Sequence, residues 1–148
     1  MPDFPRPALP RRLAALLYDT FLVLPLIMLN TALAMGAHML LTGGDEEAQV
    51  LNAHIVQALA VLSCTAFYCG FWLIKGQTLG MQAWRIRLRS FTGKSITWRQ
   101  ALLRCLGALV SLLPAGAGYW WCLFDRNKRY WHDYWSGTEL ELLPKHKD

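Results

Sequence analysis

Charged residues are scarce in this chain. Only 17% of its 148 residues are Asp, Glu, Lys or Arg, while 54% are hydrophobic. Soluble domains usually carry about 25% charged residues, so this chain has few side chains with which to solvate a surface. The composition argues against a soluble enzyme, a disulfide-rich secreted module and a disordered tail. At this length we expect a single domain over residues 1–148.

The sequence also lacks the cysteine spacing of a metal site or a disulfide scaffold. It contains no Cys-x-x-Cys, and no histidine stands near enough in sequence to complete a zinc site. All four cysteines lie within apolar runs, where cysteine acts as a small hydrophobic residue. They are Cys64, Cys69, Cys105 and Cys122. We therefore predict no metal and no cofactor.

Recognisable catalytic motifs are missing as well. Gly-x-Ser-x-Gly, His-Glu-x-x-His and Walker patterns do not occur. His132 and Asp133 are adjacent, but neighbouring side chains usually point apart, so the pair does not predict a catalytic triad. Residues 76–80 lack the Gly-Lys-Ser/Thr ending of a phosphate loop and are interpreted as a flexible exit from a helix. We do not expect an enzyme.

What the chain does contain is three long apolar runs, at residues 13–35, 55–74 and 105–124. A helix of about 20 apolar residues spans the hydrocarbon core of a bilayer. The first run is longer than the apolar region of a signal peptide, and Asp19 interrupts it. The third run is cut near its middle by a Pro/Gly-rich break. The predicted fold is an all-α membrane protein with two full transmembrane helices and a broken third segment, which forms either a hairpin or a third span.

The distribution of Lys and Arg predicts which segments face the cytoplasm. Residues 75–104 contain seven Lys or Arg and no acid, whereas residues 36–54 contain three acids and no Lys or Arg. Cytoplasmic loops carry the excess of positive charge. We therefore place the N-terminus and residues 75–104 inside and residues 36–54 outside. The basic segment is expected to contact anionic lipid, and nucleic-acid binding is not expected of so apolar a chain.

Two short segments near the cytoplasmic side have the alternating pattern of strands. Residues 84–91 alternate apolar side chains with Arg, and residues 138–143 alternate them with Glu. Opposite charges on paired strands contribute about 0.2–1 kcal/mol per pair, so we predict that these segments pair. Pairing requires both on one side of the membrane, which predicts a cytoplasmic C-terminus. Between them, Thr97–Gln100 fits a capping box that starts a helix.

Asp19 lies inside the first apolar run and needs an explanation. A charge at the centre of a spanning helix costs about 2.5–3.5 kcal/mol on insertion scales. Arg12 lies two helical turns earlier on nearly the same face, and Arg104 opens the third run. We predict one polar network of Arg12, Asp19, Arg104 and Asp133 at the cytoplasmic end of the helices. Two interpretations of Asp19 stay open: a structural lock between helices, and a proton or cation site.

Four short motifs, taken in order, resemble those of the RDD family of small bacterial integral membrane proteins. They are Arg12-x-x-Ala15 followed by Asp19, then Gly76-x-Thr78-x-Gly80, then Arg104, then His132-Asp133-x-x-Ser136-Gly137-Thr138. The resemblance runs from Arg12 to about Leu142. The sequence departs from the family at Met81, where the family has Lys.

The resemblance implies a multi-pass protein of the bacterial inner membrane. It also implies a transport role, which in some family members is sodium/proton exchange. One hypothesis is therefore a transporter or cation/proton antiporter component that acts through Asp19. Two or three spans are too few to enclose a pathway, so this hypothesis requires a homo-oligomer or a larger membrane partner. The other hypothesis is a non-catalytic scaffold, assembly factor or regulatory subunit with a structural Arg–Asp network.

Overall fold

A computed structural model of the chain describes residues 5–43, 51–112 and 116–144. The elements, in chain order, are α1 (Leu9–Thr42), α2 (Ala53–Lys75), α3 (Leu79–Ala83), β1 (Ile86–Ser90), α4 (Trp98–Leu112), α5 (Ala117–Phe124), α6 (Trp131–Ser136) and β2 (Thr138–Leu142). The described residues form two compact units. The first unit combines the chain up to Asp19 with the chain from Tyr68 onward, and the second is Thr20–Phe67. The three acids of the predicted external loop, at 45–47, lie outside the described residues.

The helices α1 and α2 correspond to the first two predicted spans. They contain 34 and 23 residues, and both are long and apolar enough to cross a membrane. Only 17% and 11% of their most apolar windows are buried. Contiguous apolar surface of this kind marks a face that meets lipid or another protein. The first helix is longer than its predicted span at both ends, since it begins at Leu9 and ends at Thr42.

A polar contact joins the two long helices within the second unit. The Asn30 side-chain amide donates a hydrogen bond of 2.8 Å to the Ser63 hydroxyl. Ser63 is 6% exposed, and Val23 is buried in the same unit. Hydrogen bonds between polar side chains hold apolar helices together in lipid, where helix association has no hydrophobic driving force.

The third apolar run does not form a single long helix. It is divided between α4 and α5, and Pro114 in the break lies outside the described residues. The Tyr119 hydroxyl donates to the Ala108 carbonyl at 3.4 Å. A Cβ added at Gly118 would lie 2.5 Å from the Ser111 side chain. The hydrogen bond and the close approach at Gly118 show that α5 packs against α4.

The helix start predicted at Thr97 is confirmed. The Thr97 amide donates to the Gln100 side-chain oxygen at 3.1 Å, and the Gln100 amide donates to the Thr97 hydroxyl at 3.4 Å. This reciprocal pair is a capping box. It begins α4 at Trp98, within the basic segment rather than at the apolar run.

The predicted strand pair is confirmed, with its charge pattern. β1 and β2 are antiparallel, and Arg87 stands opposite Glu141 while Arg89 stands opposite Glu139. The Arg89 guanidinium also lies 3.4 Å from the Glu141 carboxylate on the diagonal. The alternate apolar side chains of β1 are buried in the core of the first unit, which consists of Ala15, Trp72, Met81, Ile86, Leu88, Ile96 and Ala101.

Candidate functional site

The carboxylate of Asp19 is buried and holds the turn that follows α2. Its side chain is 2% exposed. One carboxylate oxygen accepts a hydrogen bond of 2.5 Å from the Thr78 hydroxyl, and the other accepts one of 2.8 Å from the Gly80 amide. The Thr78 hydroxyl in turn accepts from the Met81 amide at 3.2 Å and so caps the start of α3. Asp19 therefore joins the N-terminal part of α1 to the first turn of α3.

Glycine is required at Gly80 because α3 approaches α1 without space for a side chain. A Cβ at this position would overlap the Ala15 carbonyl oxygen and lie 2.9 Å from the Asp19 carboxyl group. Gly76 has a different role: its φ of 67° is in the left-handed region, where glycine avoids strain, and it ends α2. The segment predicted as a flexible exit is thus a specific turn. Met81, where the family has Lys, is 7% exposed and belongs to the hydrophobic core.

A second buried carboxylate, that of Asp133, forms an ion pair with Arg104. The two residues are 1% and 4% exposed, and the Arg104 guanidinium contacts one Asp133 oxygen directly. The other Asp133 oxygen accepts a hydrogen bond of 2.8 Å from the Tyr130 amide. That bond is the capping interaction at the start of α6. Arg104 and Asp133 therefore connect α4 to α6.

The remaining residues of the C-terminal motif shape the turn from α6 into β2. Gly137 has a φ of 63° and ends α6 in the left-handed conformation that favours glycine. Thr138 begins β2, and its hydroxyl accepts a hydrogen bond of 2.8 Å from Arg104. The Ser136 hydroxyl lies 2.6 Å from that of Thr138. A single guanidinium thus contacts both the carboxylate of α6 and the first residue of β2.

Arg12 is buried against an aromatic ring rather than against an acid. It is 8% exposed, and its Nε donates to the Pro7 carbonyl at 2.9 Å. Its guanidinium carbon lies 4.9 Å from the centre of the Tyr130 ring, within the range of a cation–π interaction. Burial raises the pKa of the Tyr130 hydroxyl, and the positive charge of Arg12 opposes this effect.

His132 is buried among aromatic rings and is neutral at physiological pH. It is 4% exposed, and its ring lies 5.0 Å from that of Tyr130 and 5.3 Å from that of Tyr119. Burial lowers its pKa to about 3, the charge of Arg104 acts in the same direction, and Asp133 opposes both. Its Nδ1 has no hydrogen-bond partner among the described residues. A Cβ added at Gly107 would lie 2.8 Å from the His132 Cβ, so α4 approaches α6 closely here.

The structure brings together some of the four residues predicted to form one polar network. Arg104 and Asp133 form an ion pair, and Tyr130 contacts Asp133 through its amide and Arg12 through its ring. Asp19 is held by a hydroxyl and a backbone amide, and the ion pairs between described residues do not include it. Its partners were identified in the sequence as motif residues but not as partners of Asp19. Tyr130 is not among the four predicted residues, although its position three residues before Asp133 is the spacing of a helix cap.

The described residues contain no group of three or more His, Cys, Asp or Glu side chains that could hold a metal ion. No curated protein and no solved structure is similar to the chain at a significant level. The model of the RDD family matches residues 6–137. This range includes Arg12, Asp19, the Gly76–Gly80 turn, Arg104 and Asp133, and it ends one residue before Thr138. The chain therefore belongs to the RDD family.

Proposed function

We propose that this protein is a non-catalytic membrane module, acting as a scaffold, assembly factor or regulatory subunit. The observation that carries the proposal is that each oxygen of both buried carboxylates accepts a hydrogen bond. Three of the four bonds join different elements, and the fourth caps α6. The donors are Thr78 and Gly80 for Asp19, and Arg104 and Tyr130 for Asp133. An ion carrier must exchange the partners of its carboxylate in every cycle. Leaving such buried partners unsatisfied costs about 1–3 kcal/mol each, so these contacts favour a fixed structural role.

A transport function, as a cation/proton antiporter component, is the second candidate. Asp19 is 2% exposed in a helix of spanning length, and its hydrogen-bond donors are a neutral hydroxyl and an amide. A buried carboxylate without a direct arginine contact has fewer interactions that hold it in the charged form. Such a group favours the loading of a proton or a cation. In this case a homo-oligomer or a larger partner would complete the pathway.

The proposed location is the bacterial inner membrane, with both termini in the cytoplasm. The excess of Lys and Arg in residues 75–104 supports this orientation. The antiparallel pairing of β1 with β2 supports it as well, because hydrogen-bonded strands lie on the same side of a membrane. The segment has exposed basic side chains that can bind anionic lipid headgroups. They are Lys75, Arg87, Lys94 and Arg99.

The α4–α5 pair is proposed to enter the membrane and return. The outward face of α4 is apolar: Leu103, Leu106 and Leu109 are 48%, 58% and 47% exposed. Two polar residues of the same stretch, Arg104 and Ser111, face the protein instead and are 4% and 0% exposed. A helix in water has the opposite arrangement, with its polar face exposed. Contact of these leucines with lipid would explain why the apolar face of α4 is exposed.

The two candidate functions are distinguished by ion flux in proteoliposomes that contain only this protein. A scaffold gives no protein-dependent sodium or proton flux, and Asp19→Asn then lowers the amount of folded protein. The matched pair Thr78→Val and Thr78→Ser reports on the same contact. Loss of the hydroxyl should destabilise the protein by about 1.5–3 kcal/mol, the range for hydrogen bonds to charged groups, while serine retains most of the stability.

The opposite result would identify transport. It consists of sodium-dependent proton flux in the wild type that disappears in Asp19→Asn, while the unfolding temperature of that variant stays normal. A flux that persists in Asp19→Asn would contradict the role of this residue in transport.

A further inference from the structure

Two of the four cysteines lie on neighbouring helices with their side chains facing each other. The Sγ atoms of Cys69 on α2 and Cys105 on α4 are 3.7 Å apart. Both side chains are partly buried and pack against the hydrophobic core of the first unit. The residues are 36 positions apart in sequence, so this contact depends on the tertiary fold and not on local geometry.

A neighbouring contact fixes the same two helices in this alignment. The Arg104 guanidinium carbon lies 5.5 Å from the centre of the Trp72 ring. Trp72 is one helical turn after Cys69 on α2, and Arg104 immediately precedes Cys105 on α4. Since Arg104 is itself held by Asp133, the position of α4 beside α2 is supported independently of the thiols.

We propose that Cys69 and Cys105 form an oxidation site that closes to an intramolecular disulfide on exposure to a peroxide. One thiolate attacks a peroxide oxygen and becomes a sulfenic acid. The peroxide O–O bond breaks, and its other oxygen takes up a proton and leaves as an alcohol or as water. The second thiol then displaces water from the sulfenic sulfur, and the S–S bond forms. In total two thiols lose two electrons and two protons, and the peroxide gains them.

The geometry needs little change for this step. The sulfur atoms must approach from 3.7 Å to about 2 Å, a shift of about 1.7 Å. The closed loop would contain the Gly76–Gly80 turn that holds Asp19 and the whole of β1. Oxidation would therefore tie the end of α2 to α4 and restrict the segment that binds the buried carboxylate.

The test uses the full-length protein in detergent, treated with hydrogen peroxide or with dithiothreitol. Trypsin cleaves after Arg12, Lys75, Arg104 and Arg126, so the two thiols lie in separate peptides. Each of these peptides also contains one other cysteine, Cys64 or Cys122. Non-reducing mass spectrometry should detect the two peptides joined, with the loss of two hydrogen masses, and the reductant should separate them.

Variants identify the sulfurs that join. The double variant Cys64→Ser/Cys122→Ser should retain the link, and it serves as the matched control. Cys69→Ser and Cys105→Ser should each lose it completely. Wild-type protein that keeps separate peptides after peroxide treatment would overturn the proposal, and so would a link that requires Cys64 or Cys122. A disulfide-linked dimer on a non-reducing gel, without the internal link, would overturn it as well.

Discussion

At the scale of single residues, both buried acids connect two helices, but their partners differ in charge. Asp133 faces a guanidinium, whereas Asp19 faces a hydroxyl and a backbone amide. Breaking a buried ion pair on one side leaves an uncompensated charge, which is more damaging than the loss of one hydrogen bond from a neutral donor to a carboxylate. The two sites should therefore differ in their sensitivity to substitution.

Asp133→Asn is expected to destabilise the protein by about 3–5 kcal/mol, because the Arg104 guanidinium would remain buried without a counter-charge. Thermal unfolding in detergent measures the effect. The control is Glu139→Gln, which removes the partly exposed ion pairs with Arg6 and Arg129 and should change stability by about 0–1 kcal/mol per pair. Equal effects of the two substitutions would contradict the structural role assigned to Asp133.

His132 should make stability depend on pH. In the folded protein its pKa is about 3, against 6.5 for an ordinary histidine, so between these values the unfolded chain binds more protons. The free energy of unfolding therefore rises with pH over this window, by at most about 1.4 kcal/mol per pH unit, and the contribution is fully present above pH 6.5.

Urea or thermal unfolding at a series of pH values measures this slope. His132→Gln should reduce it, while His54→Gln, at an exposed position, should leave it unchanged. A slope that stays the same in His132→Gln would show that another group causes the pH dependence.

At the scale of elements, close approach of backbones distinguishes the glycines from one another. A Cβ added at Gly80 would overlap the Ala15 carbonyl oxygen and crowd the Asp19 carboxyl group, whereas nothing lies within 4 Å of a Cβ added at Gly70 in α2. The turn at Gly80 is therefore a packing requirement, while Gly70 has open space around it.

Gly80→Ala is expected to destabilise the protein by about 1–3 kcal/mol or more, since the added methyl group must displace backbone atoms of α1. Gly70→Ala should be neutral or slightly stabilising, because alanine favours a helix over glycine by about 1 kcal/mol. Thermal unfolding of the pair measures the difference. Similar stability of both variants would mean that α3 does not pack against α1 as described.

Among the elements, those with a repeating pattern or a terminal signal could be predicted. The charge alternation predicted β1 and β2, and Thr97 with Gln100 predicted the start of α4. The short helices α3 and α6 were not predicted, because five and six residues are too few to establish a helical period. The side chains of Thr78 and Asp133 accept hydrogen bonds from backbone amides in the first turns and stabilise these helices, which local propensity alone does not support.

At the scale of the whole molecule, the charge distribution predicts the orientation in the membrane. Single cysteines are introduced at Asn52→Cys and Ser95→Cys, both exposed positions, in a chain without its native cysteines. A reagent that does not cross membranes should label the first in intact cells, and the second only after permeabilisation. Labelling of Ser95→Cys from outside would invert the proposed topology.

The sequence by itself determined the properties that depend on neighbours along the chain: two apolar helices of spanning length, the paired strands with their matched charges, the capped start of α4, and the family. Each of these follows from periodicity, composition or short spacing. Only the tertiary structure decided the partners of Asp19, which lie 59 and 61 positions away, and the burial of His132 against Tyr119 and Tyr130. Charge alone predicts arginines as partners of Asp19. A hydroxyl and a backbone amide hold it instead, since the absence of a side chain at Gly80 lets α3 approach α1 closely enough to present its N–H group.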